Sequence, residues 1–164
     1  MLADAKYWRA EYEWALTREK DVMFGSFTYD DAWSLGTMLV ESGRRSDLPI
    51  AISIMFGEQR VFHAALAGSS ALNDDWIDRK IRVVAKHNMS SYGVGCLYRS
   101  RGEDYDEAAR YERGRFAAFG GGLPIRVGGL LAGVVAVSGL AEKEDHELAL
   151  DSLATLLTKV GNSQ

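Results

Sequence analysis

Cysteine is almost missing from this sequence. Cys96 is the single one, so the chain can close no disulfide on itself and build no cysteine-based metal cluster alone, which points to a reducing compartment. Basic charge is not in excess either. Nineteen Lys and Arg stand against 23 Asp and Glu, for a formal net charge of −4, and the basic residues are scattered; this excludes the cationic stripe of a nucleic-acid-binding surface. Long apolar runs are lacking: none follows Met1-Leu2-Ala3-Asp4-Ala5-Lys6 of the kind a signal peptide or membrane span requires, so a cytoplasmic protein with no membrane partner is expected. Absent as well are His-Glu-x-x-His, Gly-x-Ser-x-Gly, the dinucleotide-binding glycine fingerprint and the EF-hand loop. No repeat or interdomain linker interrupts residues 1–164, which read as one domain.

What is present is the balance of a globular protein, 47% apolar and 26% charged, with two periodicities written into it. Trp8, Tyr12, Ala15 and Leu16 fall at helical spacing in an amphipathic entry helix over residues 2–16. The short run Val22-Met23-Phe24 precedes a second helix from about Tyr29, capped by Thr28 or Asp30, with Ala32, Leu35 and Leu39 on its buried face. Gly43 is expected to end that helix, and Arg44 to Asp47 to form a loop. From Pro49 the period becomes two: Ile50, Ile52, Ile54 and Phe56 alternate with Ala51, Ser53 and Met55, and residues 60–66 return as the hairpin partner.

A third helix is expected over 73–86, with acidic residues early and basic residues late, as the helix dipole favours, and a fourth over 92–98. Residues 99–115 form a polar excursion without a recognisable pattern. Beyond it Leu123–Val127 and Leu130–Ser138 form a hairpin about Gly128-Gly129, two residues suited to the positive φ angles of a tight primed turn. The last helix, 142–160, carries His146, Ala149, Leu150, Leu153, Leu156, Leu157 and Val160 on one stripe that needs a sheet to cover. Helix, helix, hairpin, helices, hairpin, helix is an α+β order.

Several residues could carry chemistry. Gly120-Gly121-Gly122 lets backbone approach a ligand closely, although a tight corner at a sheet edge explains it equally; it is no phosphate loop, because a strand and not a helix follows. Ser138-Gly139 leads to the start of the last helix, where free amides suit a carboxylate while Glu142, Glu144 and Asp145 compete for the same field. His146 belongs to the apolar stripe and fits a packed histidine or a ligand. His63 sits on the strand face of Val61 and Ala65, a metal or proton-transfer candidate if that face opens on a pocket. His87 is expected simply to complement a helix C-terminus.

Taken together, Phe62-His63-Ala64-Ala65-Leu66, Asn73 to Lys80, Gly121-Gly122-Leu123-Pro124-Ile125-Arg126-Val127, and Val137-Ser138-Gly139-Leu140 with Glu144-Asp145-His146 resemble the haem-degrading-domain-like proteins of the wider GlcG, HbpS and PduO C-terminal superfamily. The resemblance implies a profilin-like fold, a central antiparallel sheet of about five strands flanked by N-terminal, middle and C-terminal helices. It also implies homo-oligomers, and haem or another tetrapyrrole as ligand, with haem degradation as an activity. On that reading His146 or His63 ligates the iron, and the Gly120–Gly122 and Ser138-Gly139 segments with Arg79 or Lys80 meet the propionates; no structural metal is expected. Two other readings stay open: an assembly or adaptor module using Trp8, Tyr12 and Trp14 as its interface, and a small-carboxylate-binding protein using Ser138 and Gly139.

Overall fold

The structure, a computed structural model, describes residues 2–112 and 114–161. Its elements are α1 (Leu2–Lys20), α2 (Tyr29–Arg45), β1 (Ala51–Phe56), β2 (Gln59–Ala65), α3 (Ala71–His87), α4 (Ser91–Ser100), α5 (Tyr105–Ala108), β3 (Gly122–Val127), β4 (Leu130–Ser138) and α6 (Glu142–Gly161). The strands pair in the order β2-β1-β4-β3, every neighbour antiparallel. The sheet has four strands rather than about five: Val22-Met23-Phe24 contributes one isolated bridge, Phe24 to Val127, and no ladder.

The two hairpins and the alternation of Ile50, Ile52 and Ile54 dictate two unlike faces. One face presents Ile52, Ile54, Ile125, Val135 and Val137 to Leu35 and Leu39 of α2 and to Leu150 and Leu153 of α6, which makes the main core. The other presents small residues, Ala51 and Ala136, to Ile77 and Ile81 of α3. A face of alanine and glycine lets a helix axis lie close to the sheet, and this brings α3 within reach of β4. Helices cover both sides, a profilin-like arrangement, and among the described residues no helix is long and apolar enough to cross a membrane.

Most boundaries follow the local signals. Thr28 and Asp31 make a reciprocal capping box at the start of α2, and Gly128 and Gly129 take φ of 56° and 85° in the β3–β4 turn. Gly43 departs from expectation. It lies inside α2, which runs on to Arg45, and a Cβ there would stand 2.4 Å from Leu66 Cδ1. Its missing side chain makes room for the end of β2 and does not terminate the helix. The excursion after α4 is ordered by aromatics that no periodicity announced: Tyr98, Tyr105, Tyr111 and Phe116 gather with His87, whose Nε2 lies 3.0 Å from the Tyr105 hydroxyl. His87 therefore anchors this segment as well as closing α3.

α1 lies along α4, with Trp8, Tyr12 and Trp14 around Ala15, Tyr92 and Cys96. These aromatics are used within the chain, on the face where an assembly interface was expected. Glu19 is buried at the end of α1 and accepts from the Ser90 amide at 2.9 Å, holding the start of α4. His146 of α6 is 0% exposed, between Trp14 at 5.7 Å and Tyr92 at 4.9 Å, and neither ring nitrogen has a hydrogen-bond partner.

Burial, and then the positive charges of Arg18 and Lys143, push the His146 pKa down to about 3 from an ordinary 6.5. The unfolded chain thus takes up a proton that the folded one refuses, so stability falls as pH drops from 6.5 toward 3 and is fully present above 6.5. From this residue alone the loss by about pH 5 is about 2 kcal/mol. His146→Leu should remove that part of the slope in denaturant titrations repeated at several pH values; an unchanged slope would mean that His146 takes up its proton equally in the folded and unfolded chain.

Candidate functional site

A cavity of about 300 Å³ opens where the N-terminal half of α3, the β4–α6 turn and the strand-leading loop before β3 meet; Asn73, Trp76, Lys80, Phe119, Ser138 and Asp145 are among the residues lining it. Its floor is an ion pair. Lys80 Nζ donates to Asp145 Oδ2 at 3.1 Å and to the Val137 carbonyl at 3.0 Å, and both side chains are buried. Burial lowers the Lys80 pKa and raises that of Asp145, so the two groups are driven toward each other and the neutral pair is brought closer in energy to the ionic one.

Asp145 also accepts from the amides of Leu140 at 3.0 Å and Gly139 at 3.4 Å, while Glu144 accepts from Ala141 at 3.2 Å. The anion-attracting start of α6 is filled by the chain's own carboxylates, which leaves those amides unavailable to a small carboxylate ligand. The glycine loop is likewise turned inward. Gly120 donates to Glu142 and Gly122 to Ser91 Oγ, and a Cβ at Gly121, where φ is 130°, would stand 2.2 Å from the Val137 carbonyl. These three glycines serve the close approach of loop to β4 and α6.

The mouth is aromatic and flanked by cations. The Trp76 and Phe119 rings meet edge to face at 5.6 Å, and Phe119 is 47% exposed. Arg79 stacks 4.1 Å over Trp76 and pairs with Asp75 at 2.9 Å. Arg99 lies 5.9 Å from the Phe119 ring and 4.1 Å from that of Trp8, and pairs with both carboxylate oxygens of Glu142 at 2.6 and 3.0 Å.

The structure therefore brings together Lys80, Ser138 and Gly139 in the cavity wall, Gly121 directly behind Lys80, and Arg79 at the mouth. It does not bring the histidines there. His146 is sealed under Trp14, and His63 lies on the edge strand β2, its Nε2 2.7 Å from Asp74 Oδ1. Among the described residues no group of three or more His, Cys, Asp and Glu could hold a metal ion. Sequence reasoning missed Asn73, Phe119 and the role of Asp145. The available signal was Lys80 itself, a charge placed on the same helical stripe as Asn73, Trp76, Ile77 and Val84.

Close relatives carry no assigned activity in their names. The chain is 46% identical to a UPF0303 protein of Streptomyces avermitilis over 147 residues, covering 89% of this chain and 90% of the relative. It is 32% identical to a UPF0303 protein of Psychromonas ingrahamii, covering 90% and 94%. Among solved structures it resembles the Ybr137w protein, with a TM-score of 0.83 at 28% identity over 91% of this chain and 88% of that one. The fold is shared further with a PduOC–haem complex, at a TM-score of 0.67 and 16% identity over 79% and 94% of the two chains. The model of the family described as haem-degrading protein HbpS-like matches residues 27–154, and the chain belongs to that family.

Proposed function

We propose that this chain is a cytoplasmic, homo-oligomeric tetrapyrrole-binding protein, with haem the first candidate, and that it seats the edge of a flat, carboxylate-bearing ring at the mouth of the cavity. The observation that carries this reading is the Trp76–Phe119 pair, flanked by Arg79 and Arg99 and backed by Asn73 and Ser138. The exposed Phe119 ring beside Trp76 suits a planar ligand, and the Asn73 amide, together with Arg79 and Arg99 where they exchange Asp75 and Glu142 for a ligand carboxylate, suits its propionates. Membership of a haem-degrading family and a neighbour solved with haem support the ligand class.

The donor set fits the ring and its carboxylates, and does not fit axial ligation by histidine. No imidazole lines the cavity, and ligation by His146 would require Trp14 or Tyr92 to leave its packed position. His63 is accessible, and an iron held there would lie at the edge of the sheet with Asp74 as the imidazole's partner. Binding by ring and carboxylates, rather than iron-centred turnover, is therefore the function assigned to the cavity.

A separate observation bears on assembly. β2 is a free sheet edge, and beside it α2 exposes Trp33 at 65% and Tyr29 at 63%, their rings packed on Phe62 and Phe56. An unpaired strand next to exposed aromatics is a self-association surface, and it replaces the α1 aromatics as the proposed interface between copies.

Purified protein titrated with haemin and, in parallel, with iron-free protoporphyrin IX should bind both saturably and within about threefold of each other, because iron contributes little at a site without an imidazole. Trp76→Ala and Phe119→Ala should each weaken both by about tenfold, and His146→Leu neither. Binding of haemin alone, lost in His63→Ala, would move the site to the sheet edge; failure of both ligands to saturate would end the tetrapyrrole reading. Light scattering of Trp33→Glu should show a smaller assembly than the parent at equal concentration, whereas an unchanged mass would remove α2 from the interface.

A further inference from the structure

We infer that Lys80 is an amine nucleophile: the cavity admits a small aldehyde or ketone, and Lys80 condenses with it to an imine while Asp145 carries the protons. Imine formation at Lys80 does not rest on the tetrapyrrole reading, although both ligands would use the Trp76–Phe119 mouth.

A lysine placed only for stability is poorly explained here. Burying an ion pair costs desolvation that its mutual attraction scarcely returns, and an apolar pair of similar volume would hold α3 to α6 at least as well. This pair lies in the wall of an open cavity and not in a sealed core, with Asn73 and Ser138 as neighbouring hydrogen-bonding groups and Trp76, Phe119 and Leu140 as the apolar surface. Lys80 is also held in place from three sides. Its Nζ is tied to the Val137 carbonyl and Asp145, and Gly121 stands so close that a Cβ there would be 2.8 Å from Nζ. A fixed amine out of water is disfavoured as the ammonium form, and although the Asp145 charge opposes that effect, its carboxylate is the proton acceptor that frees the amine.

The chemistry closes without any further reagent. Lys80 gives a proton to Asp145, and the neutral amine attacks the carbonyl carbon; the C=O pair moves to oxygen, which takes the proton from Asp145 to give a carbinolamine. Asp145 then receives one of the two protons left on Nζ and returns it to the hydroxyl, which leaves as water while the nitrogen lone pair forms C=N and the last Nζ proton stays on the nitrogen. Ammonium and carbonyl become protonated imine and water, and no electron is gained or lost. The backbone amides of Gly139 and Leu140 on Asp145 hold its carboxylate in place through both transfers.

The test is to incubate the full chain with 4-carboxybenzaldehyde, whose flat ring suits the Trp76–Phe119 wall, in the presence of cyanoborohydride, which delivers hydride to an imine carbon and fixes it as a secondary amine. Peptide mapping by mass spectrometry should find Lys80 labelled at least about tenfold faster than the exposed Lys20 and Lys86. Asp145→Asn, with its fold checked by circular dichroism, should slow Lys80 labelling by about tenfold while leaving Lys20 and Lys86 unchanged. The map of the unmutated protein decides the matter without any variant. Labelling spread evenly over surface lysines, or an unmodified Lys80 beside modified ones, overturns the proposal, and neither result touches the porphyrin titrations.

Discussion

The salt link between Lys80 and Asp145 is the interaction on which the arrangement of the site depends, because it crosses the sheet. Lys80 rises from α3 beneath the small-residue face, and Asp145 stands in the first turn of α6, whose apolar stripe packs on the opposite face. The two can meet only at the end of β4, where Val137 supplies its carbonyl to the amine and the Ser138-Gly139 turn supplies an amide to the carboxylate. One pair of charges thereby joins the last helix, the turn before it and α3 at the floor of the cavity.

Around that link the carboxylates of α6 play a part that composition alone would misassign. Glu142, Glu144 and Asp145 look like surface acids at a helix start, and they do complement the helix dipole. Each is also bonded to a separate piece of backbone: Gly120, Ala141, and Gly139 with Leu140. The amides of the turn that leads into α6 are therefore occupied from within, and the aromatic and guanidinium groups lie outside them at the mouth.

Much of the fold was legible because its signals are local. The Gly128-Gly129 turn, the alternation in β1, the charge order of α3 and the stripe of α6 each depend on residues within one or two turns of chain, and each element stands where those residues place it. What could not be read depends on distant partners. Gly43 reads as a helix stop until Leu66 is seen packed against its α-carbon, and the tyrosines after α4 mean nothing until His87 is beside them. The site was half legible. Lys80, Ser138 and Gly139 meet in one cavity wall, while His63 and His146 stand apart from it, because a side chain's chemistry carries no information about which side of a sheet it faces. His146 satisfied the helical stripe and the ligand reading equally; only the rings of Trp14 and Tyr92, from other helices, separate the two.

The glycine loop connects these levels. Three consecutive glycines are costly in chain entropy, and a loop that merely turned a corner would need fewer. Here Gly120 must clear the Glu142 carbonyl, Gly121 the Val137 carbonyl and the Lys80 amine, and Gly122 the side chains of Val84 and Ser91. Any side chain at Gly121 would fall between the amine and the strand that holds it, pushing Lys80 out of reach of Asp145. The loop lacks side chains so that loop, strand and two helices can converge on one buried nitrogen.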